Sequence, residues 1–166
     1  MTAVRALKYI AIFMTILVVV TLLLVGYFFA TASVRIVAYG AQTKQCAEDQ
    51  AEFDQIKAAV KDETFVGTRF SYEEMGEAQD YALITYTVRL SNQCLVPIDM
   101  IEIQVVPDPN DVLQLGNNKI HSLNAKTQGE FTATILTPKG SHTVRELLVT
   151  YYVWGVSFEI KETYLG

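Results

Sequence analysis

The residues from Tyr9 to Ala30 form an uninterrupted stretch without a charged side chain. A helix of this length is roughly 33 Å long, which matches the hydrocarbon core of a bilayer. Its apolar residues leave no polar stripe on the helix surface, whereas a soluble amphipathic helix would have one. The stretch therefore predicts a single transmembrane helix over residues 9–32, after a short cytoplasmic tail over residues 1–8. Its expected partner is the lipid bilayer.

Aromatic residues frame this apolar stretch at both ends. Tyr9 lies at the first end, and Tyr27, Phe28 and Phe29 lie at the second, where such rings settle at the level of the lipid headgroups. The alternative is a cleaved signal peptide, because residues 30–32 read Ala-Thr-Ala and resemble a cleavage site. The apolar region of a signal peptide is usually only about 7–15 residues long. We therefore expect a retained anchor.

The chain after the anchor is acidic. All eighteen acidic residues lie there, with eleven of the thirteen basic residues, so this part has a net charge of −7. Such a charge argues against nucleic acid and against an anionic lipid surface as partners. The length is sufficient for one domain with its own core.

Cys46 and Cys94 are the two cysteines of the chain. An even number of cysteines in an extracytoplasmic domain is typical of a disulfide, so we predict a bond between them; two unrelated buried thiols in a cytosolic domain are the alternative. Arg5 and Lys8 precede the anchor and Arg35 follows it, which is a slight positive-inside bias. Together these features predict a cytoplasmic N-terminus and a C-terminal domain outside the cytoplasm, at the cell membrane.

A juxtamembrane segment over residues 33–63 contains the pattern of an amphipathic helix. Between about residues 42 and 61 the composition is rich in Gln, Glu, Asp, Lys and Ala. One face of the predicted helix carries apolar residues at helical spacing, namely Cys46, Phe53, Ile56 and Val60. Residues 33–39 are compatible with either further helical turns or a first short strand.

Residues 64–166 have the pattern of an antiparallel β domain. Apolar and polar residues alternate over 66–72, 82–90, 101–105, 131–135, 147–153 and 156–160, as in strands with one buried face. Several such strands joined by short turns predict a mainly β fold, an antiparallel immunoglobulin-like β-sandwich with one amphipathic helix.

The alternation changes phase between Val153 and Val156. A tight turn with Gly155 at a positive φ would explain the change, and a glycine bulge in one long strand is the alternative. A single strand over residues 145–164 would be roughly 65 Å long, so we predict a hairpin. In that hairpin Tyr152 and Trp154 point away from the core, where they are candidate contacts for a protein partner, for the helix or for the bilayer interface.

Residues 90–98, Leu-Ser-Asn-Gln-Cys-Leu-Val-Pro-Ile, carry a resemblance to a known family. A strand that ends in Asn, a short connection with Pro and a following strand resemble the LEA14/WHy type of β-sandwich and related immunoglobulin-like domains, over residues 81–164. The usual Asn-Pro pair of that family is absent, since Pro97 comes five residues after Asn92. The resemblance implies a binding or structural module behind an N-terminal anchor, with no known active site.

The candidates for chemistry are few. His121 and His142 are the two histidines, and the sequence lacks the motifs that usually accompany a catalytic histidine. Asp108, Asn110, Asp111, Gly116 and Asn117 only faintly resemble a calcium loop, because Val112 occupies a ligand position. We therefore expect surface histidines, ordinary turn chemistry, and neither a cofactor nor a metal.

These features predict a non-enzymatic module that interacts with other membrane or envelope proteins, as an accessory subunit of an envelope assembly. Two other functions stay open. An anchored enzyme would need a site built around His121 or His142, and a solute-sensing domain would need a roomy cavity between the sheets.

Overall fold

The computed structural model describes residues 2–31, 33–116 and 120–164. Its first element is helix α1, Thr2–Ala30, which begins ahead of the predicted start at Tyr9. The part over Arg5–Ala30 is long and apolar enough to cross a membrane, and it is not buried inside the protein. This exposed apolar helix is consistent with the predicted anchor. Residue 32, the predicted end of the anchor, lies outside the described residues.

Two antiparallel sheets follow α1 in the part of the chain that the structure describes. The five-stranded sheet has the order β1-β3-β7-β5-β2, and the four-stranded sheet has the order β6-β4-β8-β9. The strands are β1 (Val34–Gln45), β2 (Gly67–Arg69), β3 (Tyr81–Asn92), β4 (Ile98–Val106), β5 (Leu113–Leu115), β6 (His121–Leu123), β7 (Gln128–Pro138), β8 (Arg145–Val153) and β9 (Val156–Tyr164).

The main core lies between these two sheets. One buried cluster combines alternating residues of both sheets, so the predicted period-two pattern is confirmed. Strand β2 is shorter than predicted: Tyr72, expected on its buried face, is 90% exposed. The members of this cluster on the four longest inner strands are Ile84, Tyr86, Val88, Leu90, Ile98, Ile101, Ile103, Val105, Phe131, Ala133, Ile135, Leu147, Val149, Tyr151 and Val153.

The segment directly after the anchor is a strand. Strand β1 pairs with β3 from Val34–Asn92 to Gln45–Ala82, with an irregularity between Ile36 and Ala38. The predicted helix start near residue 42 is therefore wrong, because β1 continues to Gln45 and the helix begins at Gln50. Pairing with β3 satisfies the backbone hydrogen bonds of residues 42–45. This tertiary interaction outweighs the low strand propensity of the segment.

Helix α2, Gln50–Lys61, covers the outer face of the five-stranded sheet. The Asp49 side chain caps it by accepting from the backbone N–H of Glu52 at 3.2 Å. The predicted apolar face is confirmed for Phe53, Ile56 and Val60, whereas Cys46 precedes α2 but belongs to the same buried cluster. That second cluster contains Cys46, Phe53, Ala78, Leu83, Val112, Leu113 and Leu136, with Ile56 and Val60 packed against it.

A buried ion pair joins the start of β8 to the turn before β5. The Arg145 guanidinium donates two hydrogen bonds of 2.8 Å to the Asp111 carboxylate, and both side chains are almost fully buried. Burial alone would raise the pKa of Asp111, but hydrogen bonds from Arg145 and from the backbone N–H of Asp108 lower that pKa overall. The ionised pair therefore stabilises the domain above the pKa of an unfolded aspartate. Its contribution is lost as the pH falls through the lower, folded value.

Asp111→Asn should destabilise the domain by up to about 3–5 kcal/mol near neutral pH, because it leaves the buried guanidinium with only the more exposed Asp108 as counter-charge. The measurement is thermal or denaturant unfolding of the full chain in detergent. The matched control is Asp99→Asn, the same change at an exposed position of β4, which should stay within about 0.5 kcal/mol. Equal stability of the two variants would show that the ion pair does not contribute to folding.

Candidate interaction surface

The end of the domain nearest α1 is built from four segments. Strand β1 starts only four residues after Ala30 and pairs there with Asn92, the last residue of β3. Asp99 near the start of β4 pairs with Tyr152, so the β8–β9 turn lies at this same end. We call this the proximal end, and it comprises residues 33–35, 93–97, 124–127 and 154–155.

The β8–β9 hairpin projects its turn from the proximal end. Val153 pairs with Val156, and the two residues between them have φ angles of 50° (Trp154) and 80° (Gly155). Two positive φ values form the type I′ turn that suits a two-residue hairpin. The predicted hairpin is confirmed. A bulky residue at positive φ costs roughly 1–2 kcal/mol, since its Cβ approaches the backbone, and Trp154 is the residue that carries this strain.

The Trp154 ring contacts the last turn of α1. Its centroid lies 5.6 Å from the Phe28 ring and 5.8 Å from the Phe29 ring, both edge-on. Phe29 also stacks on Phe158 at 6.5 Å, and Phe158 stacks on Tyr151 at 5.6 Å. These aromatic contacts connect the anchor to the core, and each pair contributes about 0.5–1.5 kcal/mol beyond its buried area.

Tyr152 and Trp154 both point away from the core residues Tyr151 and Val153, as the alternation predicts. Trp154 is 54% exposed despite its contact with α1. Tyr152 is half-buried and instead lines a cleft at the open edge of the two sheets. The two predicted contact residues therefore share an orientation but have different neighbours.

Asn92 organises the loops of the proximal end. Its side chain is 1% exposed, and its amide nitrogen donates to the carbonyls of Val96, Leu123 and Asn124 at 3.0–3.1 Å. Its side-chain oxygen accepts from the backbone N–H of Cys94 at 2.9 Å. One side chain thus bonds to four backbone groups in and beside two loops. These groups would be costly to bury without a hydrogen-bond partner. The sequence signal for this role was a polar residue at the end of an alternating strand.

The predicted disulfide is absent, because Cys46 and Cys94 are both free and buried. Cys46 belongs to the cluster under α2 and Cys94 to the main core. Cys46 follows the end of β1 that pairs with Ala82, whereas Cys94 follows Asn92 at the opposite end of β3. That length of strand is roughly 33 Å, far beyond the Cα separation that a disulfide spans. The disulfide prediction is wrong.

The residues of the suggested calcium loop form ion pairs instead. Asp111 is occupied by Arg145, and Asp108 contacts both Arg145 at 3.1 Å and the exposed His142 at 3.2 Å. Within the described residues no group of three or more His, Cys, Asp or Glu side chains is arranged to hold a metal. Asn117, the last residue of the suggested loop, lies outside the described residues.

His121 lines a cleft of about 440 Å³ at the open edge between β2–β5 and β6–β4. Its ring lies edge-on to Phe131 at 5.3 Å. Across the same edge, the Gln114 side chain joins the two sheets, because it accepts from the Val105 N–H and donates to the Ile103 carbonyl, both at 2.8 Å. The cleft mixes apolar and polar lining groups, including Glu102 and Tyr152.

No protein-family model matches this chain, and a comparison with curated proteins gives no significant match. Among the described residues, the proximal end combines a strained tryptophan, aromatic contacts to α1, and loops held by a buried asparagine.

Trp154→Asn should leave the melting temperature of the full chain in detergent unchanged or slightly raised. Asparagine tolerates positive φ better than tryptophan does, and this gain offsets the lost ring contacts with α1. The measurement is thermal unfolding followed by circular dichroism.

The control for this variant is Leu147→Ala, a truncation inside the core on the same strand. It should destabilise the domain by about 2–5 kcal/mol. A loss of that size in Trp154→Asn would show that Trp154 acts as a core residue.

Proposed function

We propose that the protein is a non-enzymatic single-pass membrane protein that presents its β domain outside the cytoplasm as an interaction or structural module. The observation that carries the proposal is α1, an exposed apolar helix followed within four residues by a strand of the domain. Its expected partners are other membrane or envelope proteins, with the chain as an accessory subunit of an envelope assembly.

We further infer that the domain is an immunoglobulin-like sandwich of the LEA14/WHy type. Two observations support this. The two antiparallel sheets contribute to one buried cluster, and the domain follows an N-terminal apolar helix, as the resemblance implies. Domains of that type serve as binding or structural modules, which agrees with the proposed role.

The proposed orientation has a cytoplasmic N-terminus. The free cysteines do not support this orientation, so it rests on the basic residues. Arg5 and Lys8 precede the anchor, against Arg35 shortly after it. Basic residues near the end of an anchor favour the cytoplasmic side.

In this topology, protease added to intact cells or spheroplasts should digest the domain or remove a C-terminal tag. The measurement is immunoblotting of the tag before and after the membrane is permeabilised. A matched chain with the tag at its N-terminus should be protected until permeabilisation. The reverse pattern would place the domain in the cytoplasm.

A photoreactive phenylalanine at position 152 should crosslink to one discrete membrane or envelope protein in native membranes, because the Tyr152 side chain points outward and is half-buried. The matched control carries the same label at Tyr72, which is 90% exposed at the other end of the domain. Mass spectrometry identifies the adduct. The same adduct from both positions, or none from position 152, would argue against Tyr152 as a partner contact.

A second candidate function is solute sensing, which the cleft beside His121 favours. Its volume of about 440 Å³ falls within the range of roughly 300–1,000 Å³ that small-molecule sites occupy. The cleft opens at the edge of the sheets rather than lying enclosed between them, so the interaction module remains the first proposal.

A further inference from the structure

We propose that the proximal end of the domain rests in the lipid headgroup layer of the bilayer that holds α1, with Trp154 and Leu95 as its contacts. This goes beyond the proposed function, because it concerns how the domain is held against the membrane. It depends on α1 spanning the bilayer, and it does not depend on a protein partner.

Trp154 lies against the last turn of α1. Its ring contacts Phe28 and Phe29, which lie within the last three residues of the α1 segment that is apolar enough to span. If α1 spans a bilayer, a ring in contact with its last turn lies near the boundary of the hydrocarbon core. Tryptophan favours this boundary, since its apolar body and its N–H suit a layer that is partly wet.

The strain at Trp154 supports the same conclusion. Asparagine and glycine are the residues that a type I′ turn prefers at this position, and a tryptophan with a φ of 50° is unfavourable there. Backbone strain of this kind is concentrated at functional sites. The side chain is therefore retained for what it contacts rather than for the turn.

The second contact comes from the loop between β3 and β4. Leu95 is 55% exposed in that loop, next to the exposed Pro97. Asn92 fixes the loop by bonding to the Val96 carbonyl and the Cys94 N–H. Leu95 is thus presented in a defined position at the same end of the domain as Trp154. A lone exposed leucine would need no explanation, but this one lies at the same end of the domain as the exposed Trp154.

Charge distinguishes the proximal end from the rest of the domain. Its segments contain two basic residues, Arg35 and Lys126, and no acidic residue, although the part of the chain after the anchor carries eighteen acidic residues. Basic side chains are compatible with lipid phosphates, and carboxylates are repelled by them. The four segments nearest α1 therefore lack the acidity of the rest of the domain, and the carboxylate nearest to them along the chain, the exposed Asp99, lies two residues after Pro97 in β4.

The opposite, distal end of the domain carries the acidic loops. Strand β3 starts there at Tyr81, directly after a loop that contains Glu73, Glu74 and Glu77, and the Asp108–Asp111 turn lies beside it. The distal end thus carries the acidic loops, whereas the four proximal segments contain no acidic residue. This is the distribution expected for a domain with one end in contact with lipid.

The test uses Trp154 itself, because it is the only tryptophan of the chain. Full-length protein is reconstituted in phosphatidylcholine vesicles that contain nitroxide-labelled lipid, with the label either at headgroup level or near the end of the acyl chain. We expect a blue-shifted emission, strong quenching by the headgroup-level label, weaker quenching by the deep label, and weak quenching by aqueous iodide.

Two further chains test Leu95 independently of the α1 contact. In a Trp154→Phe background, Leu95→Trp should show the same preference for the headgroup-level label. The matched control is Tyr72→Trp in that background, at an exposed distal position, which should be quenched by iodide and not by either lipid label.

Three outcomes would overturn the inference. Trp154 could be quenched by iodide as strongly as the tryptophan of the Tyr72→Trp control, or the tryptophan of Leu95→Trp could be insensitive to both lipid labels. A third is protection of Trp154 from iodide without quenching by either lipid label, which would assign this surface to a protein contact. Flotation of the same samples separates this inference from the proposed anchor, because protein that does not float with the vesicles has no membrane anchor at all.

Discussion

Strand β1 connects the apolar helix α1 to the centre of the domain, and the rest of the architecture depends on that connection. It follows α1 after a few residues and pairs along its length with β3, which pairs in turn with β7 on its other side. The direction in which β1 leaves α1 therefore decides which end of both sheets lies nearest α1. Asn92 and its loops lie at that end, and α2 with the acidic loops lies at the other.

Each end of the domain contains one buried polar centre. Asn92 connects backbone groups of two loops at the proximal end, and the Arg145–Asp111 pair connects β8 to the turn before β5 at the distal end. Such groups add little net stability compared with an apolar core of the same shape, but removing one partner is costly. Their consequence here is specific loop geometry at both ends of an otherwise apolar core.

Local sequence patterns predicted the features that depend on local periodicity. The alternation over residues 82–90 and 147–153 identified the inner faces of β3 and β8, the spacing of Phe53, Ile56 and Val60 identified the buried face of α2, and Gly155 identified the hairpin. Periodicity is a direct reflection of which face is buried, so these inferences needed no knowledge of tertiary contacts.

Features that depend on tertiary pairing could not be predicted in this way. Residues 42–45 have the composition of a helix, yet they belong to β1 because β3 lies beside them. Strands β5 and β6 have three residues each, too few to show alternation. The even number of cysteines suggested a disulfide, whereas the pairing register of β1 and β3 separates the two thiols by the length of a strand. Of the candidate surface, the outward orientation of Trp154 was predictable, but its contacts with Phe28 and Phe29 were not.

Those contacts matter because they give the domain a second attachment to α1. The polypeptide chain links α1 to the five-stranded sheet through β1. The aromatic contacts link α1 to the four-stranded sheet through the β8–β9 hairpin. Rotation of the domain relative to α1 would break the ring contacts of Trp154 and Phe158, at a cost of about 0.5–1.5 kcal/mol for each pair. Two attachments, one to each sheet, therefore restrict the orientation of the domain relative to α1, with its acidic distal end held away from that helix.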